Sequence, residues 1–140
     1  MRIFLDANVI FSAVKSDGYI RRLLLLLAEQ DHELVADDYA LEETKRNLSA
    51  KYPSALAENS AILSLVSVFH VRQGVVLPKE LALTEKDRPV LASAIALRSD
   101  ALVTGDKGHF NHLYGECVEG VEIYSPNSIA QRLFQSPSPG

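Results

Sequence analysis

The chain has 140 residues, 47% of them hydrophobic, which suits one compact domain burying about two-thirds of its unfolded surface. Its single cysteine, Cys117, excludes an intramolecular disulfide and a multi-cysteine metal site, so a reducing compartment fits and the cytoplasm is the expected location. A formal net charge of −4 argues against nucleic-acid binding through clustered Lys and Arg, and the longest wholly apolar run, 23–28, falls far short of the roughly 20 residues of a membrane span.

Residues 2–5 form a short β-rich run. The segment after it is interrupted by Asp6 and Asn8 and lacks a small-residue cleavage site, so it is not read as a signal peptide. Val9, Ile10, Ala13 and Val14 then fall at helical spacing, and Asp17 and Gly18 end that pattern. A second helix spans 19–29, where five consecutive leucines leave no polar face and predict burial on more than one side. Residues 32–36 read as a second strand, with Asp37 or Asp38 placed to cap a helix over 39–50. Pro53 suits the first turn of a helix covering 55–65, and 66–71 is extended and β-branched.

Residues 72–83 are loop-like. Thr84-x-x-Asp87 fits a capping box opening a helix in which Val90, Leu91, Ala94 and Ile95 share one stripe, with Pro89 tolerable only near its start. Strands at 101–104 and 121–124 follow, separated by a turn at 105–108 and a helical turn at 110–114. Ser125 and Pro126 look like the cap and first position of a last helix reaching Phe134. One domain over 1–135 and a disordered tail at 136–140 are expected. The alternation predicts a three-layer α/β/α fold with a mostly parallel central sheet of four to five strands. In such folds the functional crevice lies beyond the carboxyl ends of the strands.

Two acids stand at such ends: Asp6 after the first strand and Asp106 just beyond the fourth. Each has a purely structural alternative, Asp6 as a helix cap and Asp106 as a turn residue. At neighbouring strand ends, however, two carboxylates repel unless a cation or proton lies between them. Glu43 neighbours Glu42 on the third helix, about 100° away around it, so only one of the two can point inward. Taken alone, Glu43 reads as a solvated residue balanced by Lys45 or Arg46. Asp87 has its capping role, which leaves it free to face the crevice as well.

These residues lie within LDANVIFSA, LEETKRNL, DRPVLASAIAL and LVTGDKGHF, which together resemble, in order and over nearly the whole chain, the successive motifs of PIN-domain nucleases of the VapC-like kind. The resemblance implies that Asp6, Glu43, Asp87 and Asp106 form an acidic quartet holding Mg²⁺ or Mn²⁺. It further implies that Asn8 and Thr104 supply hydrogen bonds orienting Asp6 and the attacking water or phosphate. The implied activity is endoribonucleolytic hydrolysis leaving 5′-phosphate and 3′-hydroxyl ends, with the toxin of a toxin–antitoxin pair as one role and an antitoxin protein as its partner. One departure is that Lys107, Gly108, His109 and Phe110 follow Asp106 where many members carry a further acid, which weakens the expected metal affinity.

The chemistry agrees with the residue types. Phosphodiester hydrolysis needs an activated water and neutralisation of charge on phosphate oxygens, and carboxylates suit the hard ions that provide both. Asp6 and Asp106 are the expected direct ligands, with Asp87 and Glu43 acting through water or on a second ion. Setting the quartet's four acids aside leaves as many acidic residues as the 14 basic ones, so net charge no longer opposes an RNA substrate. Lys15, Lys45, Arg46 and Lys107 are candidate phosphate contacts. Zinc is disfavoured, because only His109-x-x-His112 offers a pair of its usual ligands. Two rivals stand beside the nuclease reading: a metal-dependent phosphatase using Asp6 as nucleophile, weakened by Asn8 where a second acid belongs, and a non-catalytic scaffold binding RNA or protein. The apolar helices at 19–29 and 55–65 predict a homodimer.

Overall fold

The computed structural model describes residues 1–71, 75–105 and 110–134. Strands β1 (Arg2–Leu5), β2 (Glu33–Asp37), β3 (Val66–Phe69), β4 (Ala101–Val103), β5 (Cys117–Val118) and β6 (Val121–Tyr124) form one sheet in the order β3-β2-β1-β4-β6-β5. Every pairing is parallel except β5 with β6. The sheet therefore has one strand more than the four to five expected. The extra strand is joined to β6 by Glu119 and Gly120, both at positive φ (50° and 86°), as a two-residue type I′ hairpin requires. Such turns are usually announced by Asn or Asp at the first position. Glu119 gives no such signal.

The chain builds outward from β1 to β2 and β3, then returns to lay β4 on the other side of β1. This reversal opens a crevice at the carboxyl ends of β1 and β4. Alternation along β1 supplies both faces of the core. Ile3 and Leu5 pack with α1 (Ala7–Lys15), α2 (Tyr19–Glu29), α3 (Asp38–Lys51) and α6 (Pro126–Phe134), while Phe4 points the other way toward α5 (Arg88–Ala96). All three side chains are essentially buried, and burial of each such side chain contributes about 1.5–3 kcal/mol.

Helix α2 corrects the expectation of burial on more than one side. Leu23, Leu24 and Leu27 are buried, but Leu25 and Leu26 remain 44% and 37% exposed. Successive residues step about 100° around a helix, so a run of five leucines must send some outward. Residues 55–65 also differ from the single helix expected. A short α4 (Pro53–Glu58) ends at Asn59, whose side-chain amide donates to the Val14 carbonyl, and a 3-10 segment (Ser60–Leu65) continues to β3. Ser125 caps α6 as expected, its hydroxyl accepting the Ser128 N–H at 3.0 Å. No described helix is long and apolar enough to cross a membrane.

Candidate active site

Asp6 is the first residue beyond β1. Its N–H continues the parallel ladder to the Val103 carbonyl at 3.0 Å, which sets it beside the end of β4. One carboxylate oxygen accepts the Ala7 N–H (2.7 Å) at the start of α1, and the other accepts the Thr104 hydroxyl (2.8 Å). Thr104 is completely buried and held from two more sides. Its N–H donates to the Tyr124 carbonyl, and its own carbonyl accepts the Tyr114 hydroxyl. Asn8 lies on the exposed side of α1, where its Oδ1 accepts the Gly105 N–H at 3.0 Å. It ties the loop after β4 to the first turn of α1.

Glu43 reaches the crevice through its helix. Asp37 caps α3 by accepting the Ala40 N–H at 2.8 Å. The buried Thr44 hydroxyl is bonded to the Ala40 carbonyl (2.8 Å) and lies 3.3 Å from the Ala7 carbonyl, which locks α3 against the start of α1. With Thr44 buried there, Glu43 is half-buried at the edge of that face and Glu42 is exposed. The choice between these adjacent acids is thus made by the Thr44 contact.

Asp87 immediately precedes α5 and is 5% exposed. Its relation to Thr84 is not the capping box expected. The Thr84 carbonyl takes the Asp87 N–H (3.0 Å), and the Thr84 hydroxyl donates to the Asp87 carboxylate (2.5 Å) rather than accepting a helix N–H. Thr84 stands one turn ahead of the helix, so its hydroxyl meets the carboxylate before it can meet a free N–H. The outcome is a buried acid held by a neighbour.

Asp6, Glu43 and Asp87 come from three sequence-distant elements and line one cavity of about 260 Å³. Asn8, Asn47, Lys51 and Lys86 share its wall. Asp106, together with Lys107 and His109, lies outside the described residues. Among the described residues no three His, Cys, Asp or Glu side chains make a ready metal-binding group. His112 is engaged with the Ala82 carbonyl.

Sequence reasoning missed Lys51 and Lys86, the cations that border this cavity. Lys45 and Arg46 are exposed outside it, and Lys15 lies over the Tyr52 ring, 5.5 Å from its centroid. The adjacency of Lys86 to Asp87 was the available signal. Tyr39 was missed as well. It follows Asp37 and Asp38 at the start of α3, lines the acid cavity, and also lines an adjoining cavity of about 900 Å³. Beside it, the His70 imidazole contacts the Asp38 carboxylate at 2.5 Å and holds that carboxyl below its ordinary titration range.

Against known proteins, no curated protein matches the chain. Among solved structures, it resembles a chain in the crystal structure of VapBC2 from Rickettsia felis bound to a DNA fragment from their promoter. The superposition has a TM-score of 0.63 at 18% sequence identity and covers 89% of this chain and 98% of that one. At that identity the likeness speaks for the fold. The PIN domain family model matches residues 2–108, a stretch that includes β1 through β4 and all of the acidic positions above. The chain therefore belongs to the PIN domain family.

Proposed function

We propose that this chain is a divalent-metal-dependent endoribonuclease whose centre is Asp6, supported by Glu43, Asp87 and Asp106. The observation that favours this reading is the meeting of Asp6, Glu43 and Asp87 on one cavity wall at the sheet's reversal point. Three carboxylates that line one cavity, without forming a ready ligand group among the described residues, favour a cation that offsets their charge. The donor set fits Mg²⁺ or Mn²⁺, since it consists of hard oxygen atoms and the Thr104 hydroxyl fixes Asp6 from behind. When bound, such an ion lowers the pKa of its water and neutralises charge on the phosphate.

The chain's own residues do the rest. Thr104 and the Ala7 N–H hold the Asp6 carboxylate in one orientation, so it meets the ion without rearranging. Asp106 is its proposed partner ligand. Glu43 and Asp87 orient the attacking water, and one of them accepts its proton. Lys51 and Lys86 hold the phosphates on either side of the scissile bond, where their charge offsets that of the acids. Attack by water on phosphorus with departure of the 3′-oxygen yields the 5′-phosphate and 3′-hydroxyl ends typical of the family.

The likeness to the VapBC2 chain favours a toxin role with an antitoxin as protein partner, and the single cysteine fits a cytoplasmic location. Tyr19, Leu25 and Leu26, exposed along α2, favour a homodimer built on that helix.

Asp6→Asn tests the proposal. Asn is as good a helix cap as Asp, so the fold and its melting temperature should hold, while Mn²⁺-dependent cleavage of RNA should fall at least about 100-fold with the loss of the ligand charge. Cleavage at the parental rate would overturn it.

A further inference from the structure

The larger cavity beside the acids extends past the residues that the chemistry above uses. It shares Asp6, Tyr39, Glu43, Lys86 and Val90 with the acid cavity, so the two are continuous. Beyond that shared wall the lining combines apolar surface from the exposed Val75 and Val76 with the acids Asp37, Asp38 and Glu85 and with Arg88. Tyr39 stands at the junction and is 62% exposed, and Val76 is 93% exposed. Large apolar side chains left in water beside a polar site mark a binding surface rather than core.

The wall of this cavity is built in advance. The Arg88 guanidinium donates to the carbonyls of Leu77, Pro78 and Leu81, and His112 contacts that of Ala82. An arginine beside an acidic cavity would ordinarily pair with a carboxylate. Here its donors hold the segment from Leu77 to Leu81, which directly follows Val75 and Val76 on the cavity wall.

Resting on the nuclease reading, we propose that this cavity is a nucleobase subsite: the base of a nucleotide next to the scissile phosphate stacks on Tyr39 and lies against Val75 and Val76. Its position follows from continuity, because a phosphate at Asp6 with Lys86 beside it leaves the attached nucleotide facing the larger cavity. A volume of about 900 Å³ is ample for a base and its ribose. Stacking on an exposed ring is tolerant of sequence, since every base has a π face, so the subsite contributes affinity for single-stranded RNA more than base selectivity.

The test uses the full chain with Ca²⁺ in place of Mn²⁺ and a short single-stranded RNA carrying one 2-aminopurine at successive positions. At one position, fluorescence should be quenched on binding, and Tyr39→Leu should abolish that quench and weaken binding at least about fivefold. With an abasic nucleotide at that position, parent and Tyr39→Leu should bind equally. Equal binding of the intact RNA by both proteins would overturn the subsite, as would an equal loss on the abasic RNA. An apolar segment of a protein partner as the true occupant would give the former result. Mn²⁺-dependent cleavage lost in Asp6→Asn while Tyr39→Leu binds normally would sink the subsite alone. Position-specific quenching without any cleavage would sink the nuclease reading and leave the subsite standing as a base-binding site.

Discussion

Asp6 and Glu43 line the same cavity, yet they are held in opposite ways. The Asp6 carboxylate accepts hydrogen bonds from α1 and from the end of β4, and Thr104, which supplies the second, is itself fixed by Tyr114 and β6. Glu43 makes no side-chain hydrogen bond to a described residue. Its place is set one residue away, by Thr44 against α1, and at the helix start by Asp37. The difference separates a ligand whose atoms are oriented in advance from one whose backbone alone is oriented. A side chain of the second kind can swing to follow a water or an ion, which suits the water-handling role proposed for Glu43, whereas a metal's principal ligand gains affinity from being fixed.

The contrast can be broken first at Thr104. Thr104→Val keeps the shape and removes the hydroxyl that donates to Asp6, so Mn²⁺ affinity measured by calorimetry should fall roughly 10-fold or more, with cleavage following. Undiminished affinity would show that Asp6 needs no such support. Thr44→Val is the matching change on the other side. It should cost about 1 kcal/mol in denaturant unfolding, because a buried donor is lost, but should lower Mn²⁺ affinity less than Thr104→Val does. If the two fell equally, the distinction between direct and indirect positioning would fail.

The smallest effect concerns His70 and Asp38, which join the end of β3 to the start of α3. Asp38 titrates below its ordinary value because of the His70 contact. An acid depressed in the folded state binds fewer protons there than in the unfolded chain. Its contribution to stability is therefore complete above the unfolded value near 3.8 and fades as pH falls through the lower folded value. His70→Ala should return the Asp38 titration, followed by NMR, toward 3.8 and leave cleavage unchanged.

Much of the architecture was legible in the residues because strand and helix periods alternate cleanly. The bounds of α2, β6 and α6 agree with the sequence reading, since Gly18, Ser125 and Pro126 punctuate them. The illegible parts depend on tertiary context. The β5–β6 hairpin turns on Glu119, a residue with no usual preference for positive φ. The exposure of Leu25 and Leu26 depends on what α2 is packed against, and the α4 break at Asn59 depends on a carbonyl supplied by α1. In the site, strand ends pointed to Asp6, but the inward turn of Glu43 over Glu42 follows from Thr44 reaching Ala7, a contact no local pattern encodes. The cations that border the cavity were missed for the same reason. Lys45 and Arg46 sit near Glu43 in sequence, while the cavity is bordered by Lys51, two turns farther along α3, and by Lys86, just ahead of α5.

A crystal structure of the chain soaked in Mn²⁺, read in anomalous maps, would locate the ion relative to Asp6. An ion should be bonded to an Asp6 oxygen at roughly 2.0–2.2 Å, with Glu43 and Asp87 facing it through water. Density for Mn²⁺ remote from Asp6, or none at an ion concentration that supports RNA cleavage, would contradict the proposed centre.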